Sequence, residues 1–301
     1  MSIIEKALEK LEQTEVRGGT ASAFGSGPAL RKVRTDGAAV IADREFAEDS
    51  ERQPTRPSIA KTSRRVELDL ITLRRAGMLT PESMDTPRAE QYRRIKRPIL
   101  VKAFEGKPGK NSNLLLVTSS VSGEGKSYTS LNLAMSVASE LDRTVLLVDS
   151  DVIRQSLTKQ LKLSNEPGLT DFLKTEGADL ADYLLRTSIP NFVFLPAGRV
   201  DHQVAELWST ERMHRLMDEL AKRYSDRLVI FDSPPVLEQA STAVLGSLVG
   251  QVLMVIEAEK TAQHVVREAL QALGAHARVG LVLNKSNQRF SSEYGYGYYT
   301  Q

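Results

Sequence analysis

The segment Ser119-Ser120-Val121-Ser122-Gly123-Glu124-Gly125-Lys126-Ser127 has the make-up of a loop that wraps phosphate oxygens. It approximates G-x-x-x-x-G-K-[ST], with Ser120 where the first glycine usually stands. Gly123 and Gly125 let the backbone approach a ligand closely. The backbone N–H groups of Ser122, Gly123, Glu124, Gly125, Lys126, Ser127 and Tyr128, at the start of a helix, offer donors and a positive dipole end. Lys126 is placed to reach the β- and γ-phosphates of a nucleotide, and the Ser127 hydroxyl to ligate Mg²⁺.

Two apolar runs end in acids. Val145–Val148 leads into Asp149-Ser150-Asp151, and Leu228–Phe231 leads into Asp232. In an open parallel sheet, ligands bind at the carboxyl ends of the strands. Both acidic sites are therefore expected on the same edge as the loop. Carboxylates there hold Mg²⁺ directly or through its waters, so the expected metal set is Ser127, Asp149, Asp151 and Asp232. A further run ends Leu283-Asn284-Lys285-Ser286-Asn287. A guanine-reading N-K-x-D pattern would need an acid where Asn287 stands, which argues for adenine, with Asn284 as the base contact.

These groups need a scaffold. Six short apolar runs, Leu114–Thr118, Val145–Val148, Phe192–Leu195, Leu228–Phe231, Val252–Ile256 and Val279–Leu283, alternate with amphipathic stretches such as Ser127–Leu141, Val204–Arg223 and Ala262–Leu273. Unbroken apolar strands separated by helices predict an α/β fold, a doubly wound, mostly parallel sheet covered on both faces.

The rest of the 301 residues is organised differently. The net charge of +2 divides into an excess of six positive charges over residues 1–112 and of four negative charges over the remainder. There is no cysteine, which excludes disulfides, thiolate-ligated metals and a cysteine nucleophile. The four histidines, His202, His214, His264 and His276, lack metal-ligand spacing. No run approaches the ~20 apolar residues of a membrane span, and no secretory signal is evident. The chain is expected to be cytoplasmic.

Residues 1–13 read as a short amphipathic helix with Ile4, Leu8 and Leu11 on one face. Residues 14–86 are expected to form a mostly disordered linker, clearest over 14–65, where large apolar residues are scarce. Residues 87–110 form a basic helical segment in which Glu90, Arg93 and Lys96 share a face. The catalytic domain is expected over 111–285. The tail, 286–301, carries Tyr294, Tyr296, Tyr298 and Tyr299, four of the chain's eight tyrosines.

Together these motifs resemble the bacterial tyrosine kinases, relatives of the MinD/Mrp P-loop ATPases. The resemblance covers roughly residues 87–301. Ser120–Ser127 corresponds to the family's Walker A motif, Val145–Asp151 to Walker A′, Leu228–Asp232 to Walker B, and Leu195–Gly198 to its Leu-Pro-Ala-Gly stretch. Glu90, Arg93 and Lys96 approximate the E-x-x-R-x-x-R oligomerisation motif. Met1–Leu11 and Glu90–Leu100 also resemble the cytoplasmic autokinases of exosortase-associated exopolysaccharide loci. Ile153 stands where the family's D-x-D-x-R pattern has its Arg, with Arg154 directly after it. Val121 stands where MinD- and ParA-type ATPases carry their signature Lys.

The resemblance implies an ATP- and Mg²⁺-dependent protein-tyrosine autokinase that modifies its tail tyrosines and regulates exopolysaccharide synthesis and export. Lys126, Asp149 and Asp151 would be its catalytic residues, with Asp149 or Asp151 accepting the tyrosine proton. Expected partners are a membrane-embedded co-polymerase type activator, further copies in a ring, and a tyrosine phosphatase. The kinase would thus sit at the inner membrane through its partner. No nucleic acid is expected. The rival reading is a ParA/MinD-like positioning ATPase that binds DNA or membrane, supported by the basic Arg88–Arg97 face. A third is a non-catalytic scaffold.

Overall fold

The computed structural model describes residues 64–105, 109–200, 207–274 and 278–287. The expected helix at 1–13, most of the linker and the four tail tyrosines lie outside the described residues.

The chain enters on β1 (Arg64–Val66), α1 (Leu70–Arg75), a 3-10 turn (Pro81–Ser83) and the long α2 (Pro87–Phe104). The first strand–helix unit of the domain proper is β2 (Leu114–Ser119) and α3 (Lys126–Ala138). β3 (Thr144–Asp149), α4 (Ser156–Gln160), α5 (Leu169–Lys174), β4 (Leu185–Thr187) and β5 (Phe192–Leu195) follow. The chain closes with α6 (Glu211–Arg223), β6 (Arg227–Asp232), α7 (Ala240–Leu248), β7 (Gln251–Glu257), α8 (Gln263–Leu273) and β8 (Val279–Asn284).

The strands form one sheet in the order β1-β4-β5-β3-β6-β2-β7-β8. Every neighbouring pair is parallel except β4 with β5. This is the expected α/β architecture. The six expected strands are all present.

Alternation along β2 explains why its run is apolar throughout. Leu115 and Val117 join the core under α2 and α3, whereas Leu114 and Leu116 join the core under α5, α6 and α8. A strand covered on both faces reads as a near-continuous apolar run, and in β2 the polar Thr118 and Ser119 come only at its carboxyl end. β8 departs from this rule, since Leu281 and Leu283 are more than half exposed. It pairs with β7 alone and forms an edge of the sheet.

The linker expected over 14–86 is too long at its C-terminal end. Residues 64–86 are folded onto the domain. Leu68, Leu73, Met78 and Leu79 are buried in the core beside α3. The Leu79 N–H donates to Asn132 Oδ1 at 2.6 Å, and the Tyr128 hydroxyl donates to the Gly77 carbonyl at 2.9 Å. The segment is polar on average, but its few apolar side chains fall where α3 needs cover. The Asp69 carboxylate accepts from the Thr72 N–H and caps α1, and the Thr86 hydroxyl accepts from the Ala89 N–H and caps α2, with Pro87 at its first turn.

Candidate functional site

The loop after β2 lies at the carboxyl end of the central strands. Register puts Asp149 directly opposite Asp232 on the adjacent β3 and β6, and Asp232 opposite Val117 of β2. The loop and both acid clusters therefore meet on one edge, as an open parallel sheet requires.

Gly125 caps α3 with φ +99°. A Cβ there would meet Asn284 Nδ2 at 2.0 Å. The position needs glycine for its backbone conformation and for this close approach. Asn284 donates from Nδ2 to the Glu124 carbonyl at 2.9 Å, and Lys285 donates from Nζ to the Gly123 carbonyl at 2.7 Å. The end of β8 thus braces the loop.

Glu124 braces it from inside. Its carboxylate is buried and accepts from the Val121 N–H at 2.9 Å, the Glu257 N–H at 3.2 Å and the Thr261 hydroxyl at 2.5 Å. Sequence spacing marked Glu124 only as one loop position among several. Its side chain is the pin between the loop and the end of β7, a role with no signature in spacing.

Lys126 is buried and pairs with Asp151 Oδ2 at 3.1 Å. It also lies 3.5 Å from the Ser127 hydroxyl. Asp151 Oδ1 accepts from the Arg154 N–H at 3.2 Å. Both Asp151 oxygens are therefore engaged by protein donors.

Asp149 and Asp232 are fully buried. Asp149 Oδ2 accepts from the Thr158 N–H at 2.8 Å and from its hydroxyl at 2.7 Å. Asp232 Oδ1 accepts from the Ser130 hydroxyl at 2.9 Å. Asp149 Oδ1 and Asp232 Oδ2 are buried with no hydrogen-bond partner. Burial, reinforced by the Asp232 charge, pushes the Asp149 carboxyl up to about 7. Burial pushes Asp232 up to about 6, opposed by Lys126 and by hydrogen bonds from Ser127 and Ser130. The unpartnered oxygens of Asp149 and Asp232, on residues that face each other across adjacent strands, fit a divalent cation whose remaining ligands are water and phosphate. Of the expected metal set, Ser127, Asp149 and Asp232 fit this role, and Asp151 holds Lys126 and the Arg154 N–H in this structure.

The expected assembly face is divided by the structure. Glu90 and Arg93 are half exposed and pair at 3.0 Å, and Arg93 also donates to the Met84 carbonyl at 3.1 Å. Lys96 is buried instead. Its Nζ donates to the Ser136 carbonyl at 2.9 Å and to Glu140. The three-residue step that groups it with Arg93 overlooks the approach of α3, which turns Lys96 into an internal strut between the two helices.

A second charged group surrounds Ser122. Glu238 Oε1 accepts from the Ser122 N–H at 2.6 Å, and Glu238 Oε2 pairs with Arg154 at 3.0 Å. Arg154 also donates to the Ser122 hydroxyl. Sequence reasoning noted Arg154 only as a displaced Arg and missed Glu238 altogether.

A family model described as an AAA domain matches residues 114–284. YwqD of Bacillus subtilis, a tyrosine-protein kinase, is 30% identical over 222 residues, which cover 73% of this chain and 89% of YwqD. EpsB of Ralstonia nicotianae is 33% identical over 240 residues, covering 77% of this chain but 31% of EpsB. The chain thus spans about a third of the EpsB relatives. The kinase domain of the Escherichia coli tyrosine kinase ETK superposes with a TM-score of 0.62 at 26% identity, covering 79% of this chain and 95% of that domain.

Proposed function

Because this chain belongs to the bacterial tyrosine-kinase family, we propose that it transfers the terminal phosphoryl group of ATP to protein tyrosines, foremost Tyr294, Tyr296, Tyr298 and Tyr299 of its own tail. The observation that carries this reading is the convergence of Lys126 and the unpartnered oxygens of Asp149 and Asp232 on one phosphate-wrapping loop.

Phosphoryl transfer is governed mainly by positioning and electrostatic stabilisation. The backbone N–H groups from Ser122 to Tyr128 hold the phosphates. The Lys126 ammonium exchanges Asp151 for phosphate oxygens and stabilises the charge that develops there. Ser127, Asp149 and Asp232 would hold Mg²⁺, which would supply positive charge against the phosphates. Asn284, already against the loop, is the adenine contact. The tyrosine oxygen forms a bond to the terminal phosphorus, the bond to the β,γ-bridging oxygen breaks, and ADP leaves. The phenolic proton passes to a carboxylate. Asp149 and Asp151, both at the end of β3 beside the loop, are the candidates for that role.

Glu90 and Arg93 remain candidates for contact between copies in a ring, with Lys96 supporting their helix from within. Among the described residues no helix is long and apolar enough to cross a membrane. A membrane-embedded co-polymerase type activator would be its partner in the control of exopolysaccharide synthesis and export, with a tyrosine phosphatase reversing the modification.

The test is incubation with Mg²⁺·ATP and the activator's cytoplasmic segment, read by phosphotyrosine detection. Wild type should gain phosphotyrosine, and Lys126→Met and a four-fold tail Tyr→Phe variant should not. No signal in wild type under these conditions would refute the kinase reading.

A further inference from the structure

Three groups, Ser122, Glu238 and Arg154, meet at the rim of the phosphate loop, and of these the mechanism above uses only the Ser122 N–H. Ser122 is the third residue of the loop segment beginning at Ser120, and its N–H is one of the donors that such a loop offers to phosphate. Here that N–H is bonded at 2.6 Å to a carboxylate, Glu238 Oε1. The other carboxylate oxygen holds the Arg154 guanidinium at 3.0 Å, and the same guanidinium reaches the Ser122 hydroxyl. Arg154 lies three residues beyond Asp151 and donates its backbone N–H to that carboxylate. Asp151 in turn holds Lys126. The two cations, Lys126 and Arg154, thus flank the same stretch of loop, each held by one acid.

Glu238 and Arg154 are both partly exposed, at 34% and 46% of their side chains. Their pairing therefore contributes little to folding. An oxyanion on a loop N–H with a guanidinium on its far side has the chemistry of a bound phosphate oxygen. One N–H cannot serve both a carboxylate and a phosphate.

We propose that Glu238 is a latch that competes with the terminal phosphate of ATP for the Ser122 N–H, and that its displacement hands Arg154 from the carboxylate to that phosphate. Arg154 is then the specificity residue that separates triphosphate from diphosphate. The proposal rests on the reading that this loop binds nucleotide.

The experiment is calorimetric titration of the full chain with Mg²⁺·β,γ-imido-ATP and, separately, Mg²⁺·ADP, for wild type, Glu238→Gln and Arg154→Ala. Losing one charge-assisted competitor should tighten triphosphate binding by roughly tenfold in Glu238→Gln. Losing the guanidinium should weaken it by about tenfold in Arg154→Ala. ADP affinity should stay within about twofold in both variants, which also reports that they are folded. Equal effects on both nucleotides, or an unchanged triphosphate-to-diphosphate ratio, would overturn the latch and leave the nucleotide site standing. Failure of wild type to bind either nucleotide would overturn both.

Discussion

Replacing Asp149 with asparagine should stabilise the protein at alkaline pH while abolishing transfer. Asp149 is fully buried, and one of its oxygens has no hydrogen-bond partner. Asparagine keeps a carbonyl to accept from Thr158 but removes the charge. The native carboxyl is pushed from 3.8 up to about 7. Between those values the native state binds more protons than the unfolded chain, so wild-type stability is highest at the acidic end and falls as pH rises. The window from pH 5 to about 7 corresponds to roughly 3 kcal/mol at 1.36 kcal/mol per pH unit. Above about pH 7 the difference is constant. Urea unfolding in EDTA should therefore show Asp149→Asn gaining about 3 kcal/mol relative to wild type between pH 5 and pH 8. The same variant should give no phosphotyrosine with Mg²⁺·ATP. A stability difference that stays flat from pH 5 to pH 8 would refute the reasoning, because it would mean that the buried carboxylate carries no desolvation cost.

Leu79→Ala should cost about 2–5 kcal/mol, the range for truncating a buried leucine, because residues 64–86 complete the domain core; thermal unfolding measures it. Glu124→Ala removes the acceptor for three donors. It should weaken ATP binding by about tenfold through loss of loop geometry, with ADP weakened alongside, as titration would show. Lys96→Ala should lower stability by about 1 kcal/mol, since the Ser136 carbonyl loses its donor while Glu140, 40% exposed, returns to water; unfolding of dilute protein, where subunits are apart, should show the same loss.

The phosphate loop, the two acid clusters and the six long strands are readable from residue order, because each is local. A loop that wraps phosphate, and a strand buried on both faces, leave their requirements within eight or nine consecutive residues. What stayed hidden depends on residues distant in the chain. Short β4 pairs antiparallel with β5, and its three residues carry no periodic signal. Glu238 meets Ser122 across 116 positions, and Glu124 meets Thr261 across 137. Lys96 looks like part of a solvated basic face until α3 is laid against it. The folded stretch 64–86 escapes sequence patterning for a related reason. Leu68, Leu73, Met78 and Leu79 are too widely spaced to predict burial, yet α3 supplies an apolar surface that selects them.

In the proposed function this loop and its acids deliver phosphate to the chain's own tail. Mass spectrometry of the C-terminal peptide, isolated from the native source, tests it most directly. The account predicts a ladder of species carrying one to four phosphates on Tyr294, Tyr296, Tyr298 and Tyr299, absent from cells that carry Lys126→Met. A tail without phosphate in wild-type cells, or an unchanged ladder in the Lys126→Met strain, would contradict it.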